Sequence, residues 1–334
     1  MLQGECKALN IFVSAANLKM YFPVHKSLFE RLFTRQEDYV KAVDNISLTI
    51  RKNEIFTLAG ESGCGKTTAG KLLVRLLEPT AGNIFFDGIE ITGLKGEELR
   101  VLRRKIQIIF QDPYASLNPR MRIGVAIGHP LEIHNLAKGE EKRKKVLEIL
   151  HRVGLTPPEQ FARLYPHQLS GGQRQRVALA RSIITEPEFV VADEPVSMID
   201  VSLRTTLIDL MLNLKKELGL TYLFITHDLA VAKYISDRIA IMYLGRTVET
   251  AESRELFSNP LHPYTQALLS AIPIPNPEQK RKTIELKGEV PSAINIPSGC
   301  RFHPRCPRAF DRCPIEEPTP IEIRNHHVVE CHLY

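Results

Sequence analysis

The sequence lacks a long hydrophobic run and lacks a secretory signal. No stretch approaches the roughly 18 apolar residues that a membrane-spanning helix requires. The N-terminal residues, MLQGEC, have neither the basic nor the apolar region of a signal peptide. Internal repeats and low-complexity tracts are also missing. We therefore expect a cytoplasmic chain that meets a membrane only through a partner protein.

A strong excess of charge of one sign is also missing. The net charge of +6 could attract phosphate, nucleic acid or an anionic membrane surface. The basic residues are spread along the chain, except at residues 142–145, which follow two glutamates and predict the exposed face of a helix. With 334 residues, 43% hydrophobic and 25% charged, the chain has the composition of a globular protein with one large domain and an appendage, or with two domains. We interpret the charge as that of an ordinary protein surface.

Cysteine is scarce and unevenly placed. Six cysteines in a cytosolic chain are not expected to form disulfides. Four lie in the last 35 residues: Cys300, Cys306, Cys313 and Cys331. Their spacing, C-x5-C-x6-C-x17-C, departs from the C-x2-C pair of structural zinc, and two of them precede proline, as at ferredoxin cluster ligands. A [4Fe–4S] cluster, a zinc site that borrows His303 or His332, and four reduced structural thiols remain open.

Strand-like and helix-like segments alternate from about residue 43 to 240 and predict an α/β core with a largely parallel sheet. The pattern predicts buried strands at residues 55–59, 189–192 and 222–226, a helix at 68–77, and a hairpin at 238–249. Residues 113–168 are rich in charges and helix formers and predict a helical insert, with an amphipathic helix at 138–153. The sequence PIPNP at 273–277 predicts a linker.

A phosphate-binding loop is predicted between the first buried strand and the helix that follows it. Residues 60–67, GESGCGKT, match the pattern G-x-x-x-x-G-K-[ST] in its required context. Lys66 should reach the β- and γ-phosphates, and Thr67 should give its hydroxyl to Mg²⁺. The candidate nucleotide-binding residues are Gly60, Glu61, Ser62, Gly63, Cys64, Gly65, Lys66, Thr67 and Thr68.

Polar residues follow three of the apolar runs, where ligands bind at the edge of an α/β sheet. Asp193 ends one run and is the candidate residue for binding Mg²⁺. Glu194 is the candidate general base for an attacking water. Gln111 follows residues 106–110 and could hold water or Mg²⁺, and His227 follows residues 222–226. Without the phosphate-binding loop, the two carboxylates would be interpreted as caps of a turn before Pro195, His227 as a structural residue and Gln111 as a surface residue.

The pentapeptide LSGGQ at residues 169–173 lies about a hundred residues beyond that loop. Ser170 can cap a helix that begins there, and Gly171 and Gly172 leave the backbone amides open to an anion. In this order, the motifs resemble the ATP-binding cassette (ABC) superfamily. The resemblance implies a P-loop NTPase (RecA-like) core with an antiparallel β subdomain, a helical insert subdomain and a small Cys-rich C-terminal domain. The expected nucleotide-binding domain spans residues 1–255, with the helical part at about 113–178, and the C-terminal domain spans 256–334.

The resemblance also implies roles for single residues. Gln111 matches the loop that joins the core to the helical insert, and His227 matches the switch histidine. Asp200 matches the loop that crosses to a second subunit, although Met198 and Ile199 stand where the family more often has Ala-Leu. Four residues match the part of the pentapeptide that closes on ATP held by the other subunit of a head-to-tail dimer: Ser170, Gly171, Gly172 and Gln173. Phe22 best matches the adenine-stacking position, with Tyr21 as the alternative.

Several stretches resemble the oligopeptide/dipeptide importer ATPases more narrowly: residues 110–121, 261–265, 288–292 and 299–307. An insertion between Phe22 and Lys41 resembles the second, F-type, of the two paralogous ATPases of such systems. It includes residues 27–33, either a short amphipathic helix near the membrane or a packed surface turn.

The resemblance implies ATP, Mg²⁺ and a [4Fe–4S] cluster as cofactors. It implies a paralogous ABC ATPase, two transmembrane permease subunits and an extracytoplasmic solute-binding protein as partners, with the chain at the cytoplasmic face of the cell membrane.

The expected function is therefore ATP hydrolysis that powers import of di- or oligopeptides. Related importers can carry oligosaccharide or nickel, so the solute stays open. A soluble ABC ATPase that acts on ribosomes or DNA is the alternative of another class, but such chains usually carry tandem cassettes or a long coiled-coil insert. A small-molecule kinase is disfavoured by residues 169–173 and by the single base Glu194. No nucleic-acid partner is expected.

Overall fold

The computed structural model describes residues 10–24, 38–272, 284–324 and 326–334. The predicted linker at 273–277 and the stretch 27–33 lie outside these residues. The chain forms two compact units. The first unit contains residues 1–50, 56–92 and 226–334, and the second contains residues 51–55 and 93–225.

The strands and helices of the described residues are numbered in chain order. The strands are β1 (Ile11–Pro23), β2 (Tyr39–Arg51), β3 (Ile55–Ala59), β4 (Ala81–Phe86), β5 (Ile89–Glu90), β6 (Ile106–Ile109), β7 (Phe189–Asp193), β8 (Thr221–Thr226), β9 (Arg238–Tyr243), β10 (Arg246–Glu252), β11 (Ile321–Arg324) and β12 (His327–Val329). The helices are α1 (Lys66–Leu73), α2 (Gly96–Lys105), α3 (Pro113–Ser116), α4 (Ile123–Ile133), α5 (Gly139–Arg152), α6 (Pro158–Arg163), α7 (Gly171–Ile183), α8 (Val201–Leu218), α9 (Leu229–Ile235), α10 (Ser253–Ser258) and α11 (Pro263–Ser270).

The first unit contains a four-stranded sheet and a second set of paired strands. The four-stranded sheet has the order β2-β1-β4-β5, and β4 pairs antiparallel with both β1 and β5. In the second set the order is β11-β12-β10-β9-β3. Strands β3 and β9 are parallel, while β9, β10, β12 and β11 pair antiparallel in turn. The last two strands of the chain thus extend the hairpin of β9 and β10, and that hairpin confirms the prediction for residues 238–249.

The second unit contains parallel strands in the order β8-β7-β6. Every residue of β7 and β8 is buried, as expected for parallel strands covered on both faces. The strands predicted at residues 189–192 and 222–226 are therefore confirmed as β7 and β8, and so is the mixed α/β content. Helices α3 to α7 follow β6, and α5 confirms the amphipathic helix predicted at 138–153, because it buries one face formed by Val146, Ile149 and Leu150.

Helix α1 differs from the predicted helix at 68–77. It begins two residues earlier, at Lys66, and ends at Leu73. The end comes before Pro79 because Arg75 takes a left-handed conformation with φ 54. The Arg75 guanidinium then donates to the carbonyl oxygen of Ile91 at 3.0 Å, which holds the chain in this turn.

A buried aromatic cluster joins the C-terminal region to the strands of the first unit. The Phe302 ring lies 5.3 Å from the rings of Tyr243 and of Tyr264, and 5.6 Å from the ring of His262. All four side chains are buried. Offset and edge-on aromatic contacts of this kind stabilise a core beyond the area that they bury.

A buried carboxylate also ties the end of the chain to β10. Glu249 accepts hydrogen bonds from the backbone N–H of Leu261 at 2.7 Å and of His262 at 3.0 Å. The Nε2 atom of His327, in β12, lies 2.7 Å from a Glu249 carboxylate oxygen. A buried carboxylate requires such partners, so the position of β12 is fixed by this contact.

Within the described ranges, none of the helices combines the length and the apolar character needed to cross a bilayer.

We predict that Phe302→Ala destabilises the first unit by about 3–5 kcal/mol, because it removes a fully packed ring and leaves a cavity. The melting temperature in scanning calorimetry measures this loss. Phe310→Ala is the matched control: that ring is 43% exposed, and its loss should change stability by only about 0.5 kcal/mol. Equal shifts for the two variants would contradict the role assigned to Phe302.

Candidate functional site

The loop between β3 and α1 leaves no room for side chains at two of its glycines. Gly60 has φ 152 and Gly65 has φ 105, in the region that only glycine adopts readily. A Cβ atom at Gly60 would lie 2.3 Å from the carbonyl oxygen of Met242, and one at Gly65 would lie 2.0 Å from that of Ala42. The loop therefore packs its backbone directly against β9 and β2.

The loop also encloses the ammonium group of Lys66. Its Nζ atom donates to the carbonyl oxygens of Gly60 and Glu61, both at 2.9 Å, and lies 3.7 Å from Sγ of Cys64. Burial raises the pKa of the Cys64 thiol, which disfavours the reactive thiolate. Ser62 and Gly63 are exposed at the tip of the loop, while Thr67 and Thr68 are half-buried in the first turn of α1. A cation thus lies at a helix start, as at an anion-binding site.

Two residues that sequence reasoning missed hold Glu61. The backbone N–H of Glu61 donates to Oη of Tyr264 at 3.0 Å. The Glu61 carboxylate accepts two hydrogen bonds from the Arg305 guanidinium, at 2.8 and 3.2 Å. Burial opposes the charge of Arg305, but its hydrogen bonds to Glu61 and Tyr243 raise the pKa of Arg305 overall. Both residues lie in stretches that resemble the importer ATPases, 261–265 and 299–307, yet no sequence pattern connects those stretches with residue 61.

In the second unit, the structure brings Gln111 and Glu194 together. The Nε2 atom of Gln111 donates to Oε2 of Glu194 at 2.9 Å. Each residue follows a strand, β6 and β7, and these strands pair in parallel with Ile109 opposite Ala192. The expectation that both lie at one edge of these strands is confirmed.

The backbone of Glu194 is held in an unusual conformation. Its φ is 45, and its N–H donates to the carbonyl oxygen of Ile225 at 2.9 Å. A left-handed non-glycine residue is unfavourable by about 1–3 kcal/mol and is typical of functional sites. The preceding residue, Asp193, is buried at the end of β7, opposite Ile225. Two adjacent carboxylates therefore leave this strand from different backbone conformations.

His227 lies in the first unit, between β8 and α9, and is exposed. The next residue, Asp228, caps α9: its carboxylate accepts from the N–H of Ala230 at 2.9 Å and of Val231 at 3.2 Å. This cap fixes the start of the helix immediately after His227.

Helix α7 begins at the predicted pentapeptide with a reciprocal cap. Ser170 Oγ accepts the N–H of Gln173 at 3.3 Å, and Gln173 Oε1 accepts the N–H of Ser170 at 2.9 Å. The two intervening glycines are half-buried. A cavity of about 180 Å³ lies at this helix start and is lined by Ser170, Gly172, Gln173, Arg176, Ile199, Leu203 and Leu207. Asp200 is exposed directly before α8. The predicted cap is confirmed, and the helix start remains accessible.

The two candidates for an adenine platform have different surroundings. The Tyr21 hydroxyl donates to Asp44, and burial together with Asp44 raises the pKa of Tyr21 to about 12. The other oxygen of Asp44 forms a buried ion pair with Arg301. Phe22 is half-buried at the end of β1. Tyr21 is therefore engaged in a structural network, which favours Phe22 for stacking.

The four C-terminal cysteines lie within electrostatic reach of one another. Burial raises the pKa of Cys300 to about 11, and its three neighbours Cys331, Cys313 and Cys306 add to the shift. The N–H of Cys300 donates to the carbonyl oxygen of Cys313 at 2.8 Å.

Both candidate histidines of a zinc site have backbone partners. The ring of His303 contacts the carbonyl oxygen of Cys300 at 2.9 Å, and that of His332 contacts Glu316 O at 2.8 Å. As the side chains stand, no group of three or more metal-binding residues in the described part of the chain is arranged to hold an ion.

Comparison with known proteins identifies the family of the chain. A family model described as ABC transporter matches residues 43–197, and one described as Oligopeptide/dipeptide transporter, C-terminal region, matches residues 248–313. The oligopeptide transport ATP-binding protein AppF of Bacillus subtilis (strain 168) is 49% identical over 321 residues, which are 95% of this chain and 96% of the relative. The chain belongs to the ABC transporter family. The dipeptide transport ATP-binding protein DppF of Haemophilus influenzae is 45% identical to this ABC protein over 99% of both chains.

A solved structure confirms the fold of the family. It shows an ATP-binding cassette in a dimeric, post-hydrolysis state bound to ADP and Pi. That chain is 31% identical, with a TM-score of 0.62, over 72% of this chain and 99% of its own length. The present chain therefore has the P-loop NTPase fold of ABC ATPases, with the mixed α/β content that the sequence predicts.

We predict that Gly65→Ala abolishes ATP binding, because the added methyl group would clash with the Ala42 carbonyl oxygen and distort the loop. Binding of a fluorescent ATP analogue to the full chain measures this. Gly93→Ala should bind as the wild type does, since nothing lies within 4 Å of a Cβ atom at that position. Unchanged binding by Gly65→Ala would show that the loop does not require the close approach.

Proposed function

We propose that this chain is the ATP-hydrolysing subunit of a membrane transporter that imports peptides. The observation that carries the proposal is a match along nearly the whole chain, C-terminal region included, to proteins named for oligopeptide and dipeptide transport. The phosphate loop, with an enclosed ammonium group beside a helix start, supports ATP as the energy source. No feature of the described residues favours a soluble ABC ATPase on ribosomes or DNA.

In this proposal the loop at residues 60–67 binds the phosphates. Lys66 exchanges its contacts with loop carbonyls for the β- and γ-phosphates, which are stronger partners for an ammonium group. Thr67, Gln111 and Asp193 would hold Mg²⁺, which neutralises phosphate charge when it is bound. Hydroxyl, amide and carboxylate oxygens are the donors that this ion prefers.

Glu194 is the proposed general base. Its carboxylate accepts from Gln111, so the amide orients the carboxylate and Glu194 can take a proton from the attacking water. The exposed His227 is proposed to contact the γ-phosphate. The left-handed backbone of Glu194 supports this assignment, because strain of this size persists where function requires a fixed side-chain direction.

A second subunit is proposed to complete the nucleotide site. The open helix start at Ser170, Gly171, Gly172 and Gln173 provides backbone amides and a positive helix end for a γ-phosphate that the other subunit holds. Asp200 is proposed to reach the same partner. Phe22 is proposed to stack on adenine. Closure on ATP and opening after hydrolysis would then drive transport.

The proposed partners are a paralogous ABC ATPase, two permease subunits and an extracytoplasmic solute-binding protein. We place the chain at the cytoplasmic face of the membrane. We also retain the domain division at residues 255 and 256, with a helical part at about 113–178. Helices α3 to α7 support the helical part, and the family match at 248–313 supports a distinct C-terminal region.

We further propose a [4Fe–4S] cluster on Cys300, Cys306, Cys313 and Cys331, with zinc as the alternative. All four thiols are buried or half-buried, and three of them raise the pKa of Cys300. Four thiols are the donor type that such clusters use, although they are not arranged to hold an ion as they stand. The cluster would supply a structural cross-link among four points of a region with little core of its own.

Prepared without oxygen, the chain should contain about four iron and four sulfide per molecule. Cys306→Ser should lose most of the iron, while Cys64→Ser should keep it, because Cys64 lies in the phosphate loop. Metal and sulfide analysis with electron paramagnetic resonance provides the measurement. Zinc without iron or sulfide would exclude the cluster.

The import function is tested on the tagged chain purified from gently solubilised native membranes. A second ABC ATPase, two multi-span permeases and a binding protein should co-purify. Recovery of ribosomal or DNA-bound partners alone would overturn the proposal.

In the complex reconstituted in vesicles, Glu194→Gln should lower ATP hydrolysis by about 10²–10⁴-fold and abolish peptide uptake, with ATP binding retained. Phosphate release and uptake of labelled peptide measure these effects. The control Glu217→Gln, on the exposed side of α8, should behave as the wild type does. Hydrolysis by Glu194→Gln at the wild-type rate would remove Glu194 from the mechanism.

A further inference from the structure

We propose that Arg305 and Tyr264 are positioning residues of the phosphate loop, so that the C-terminal region sets the affinity for ATP. The inference rests on the proposed function, because it concerns the ATP site described above. It adds two residues to that site from parts of the chain that no nucleotide-binding motif includes.

Tyr264 fixes the backbone of the loop. Its hydroxyl accepts the N–H of Glu61 at 3.0 Å. The side chain is fully buried, with its ring 4.8 Å from that of Tyr243 and 5.3 Å from that of Phe302. A hydroxyl held by such packing cannot follow the loop if the loop shifts. The peptide plane before Glu61 is therefore pinned to the aromatic cluster.

Arg305 fixes the side chain of the same residue. The guanidinium makes a two-pronged contact with the Glu61 carboxylate, and the Arg305 side chain is only 8% exposed. This geometry fixes both distance and orientation, which a lysine ammonium cannot do. The Glu61 carbonyl oxygen in turn accepts from Lys66 at 2.9 Å. A continuous chain of contacts thus connects Arg305 with the lysine that is proposed to bind phosphate.

Charge gives this contact a second role. Glu61 lies in a loop that would receive the phosphates of ATP, and an unpaired carboxylate there would repel them. Arg305 cancels that charge at close range. Removal of Arg305 should therefore weaken ATP binding through the exposed charge of Glu61, and removal of both charges should restore much of the affinity.

A neighbouring arginine, Arg301, makes a second contact between the C-terminal region and the core. Arg301 donates to the Leu244 carbonyl oxygen and pairs with Asp44, which in turn accepts from Tyr21. The segment that carries Cys300 and Cys306 therefore contacts the core at two points. Arg305 makes the first contact, with the phosphate loop. Arg301 makes the second, with Asp44 in β2, the strand next to β1, which carries the proposed adenine platform.

The experiment measures ATP binding and steady-state hydrolysis with the full chain in its purified complex. Arg305→Gln should raise the Kd and the KM for ATP about tenfold, with kcat at saturating ATP within about twofold of the wild type. Arg305→Lys should have a Kd and a KM for ATP between those of the wild type and those of Arg305→Gln. Glu61→Gln added to Arg305→Gln should recover most of the affinity, which a merely structural role of Arg305 would not produce.

Arg312→Gln is the matched control. Arg312 directly precedes Cys313, as Arg305 precedes Cys306, but its ion pair with Glu316 is exposed on both sides. Arg312→Gln should therefore bind ATP as the wild type does. If Arg305→Gln does not fold, Tyr264→Phe provides the second test and should weaken ATP binding several-fold, because one hydrogen bond to Glu61 is lost.

The outcomes separate the inference from the proposed function. A wild type that binds ATP, with variants at Arg305 and Tyr264 that bind equally well, would overturn the inference and leave the function standing. A double variant no better than Arg305→Gln would also overturn it. A wild type that binds no ATP would overturn both.

Discussion

The fit of a glycine backbone against neighbouring carbonyl groups is the constraint on which the site depends. The loop between β3 and α1 contacts β2 and β9 so closely that a single methyl group at Gly60 or Gly65 would overlap a carbonyl oxygen. This contact fixes the loop, and the loop in turn encloses Lys66. The aromatic cluster around Phe302 packs against β9, so core packing and the phosphate loop share a strand in the first unit.

Much of this arrangement could be predicted from local patterns. Buried strands, the hairpin, the amphipathic helix α5 and the cap at Ser170 each follow from residues close in sequence. The pairing of Gln111 with Glu194 was also predictable, because both follow strands that end at one edge. The early end of α1 could not be predicted from local patterns, because it depends on a contact of Arg75 with Ile91 in a later segment.

The contacts of the C-terminal region could not be predicted at all. Arg305 and Tyr264 meet Glu61 across more than two hundred residues. No periodicity or spacing marks such a contact, because side-chain partners at this separation are set by the tertiary fold alone. The same holds for the bond between His327 and Glu249, which unites β12 with β10. The spacing of the cysteines predicts a metal site, but two arginines beside them, Arg301 and Arg305, connect their segment with the strands and loop of the nucleotide site.

The distance along the chain between the phosphate loop and its anchors also has a consequence for synthesis. Glu61 and Arg305 are separated by 244 positions, and a ribosome that adds about 5–20 residues per second needs about 10–50 s to cover them. During that time the loop exists without Arg305, with a carboxylate that nothing in the C-terminal region neutralises. The loop can make its contact with Arg305 only when residue 305 has emerged from the ribosome. Until then, a nascent chain carries a phosphate loop that should bind ATP more weakly than the loop of the finished protein does.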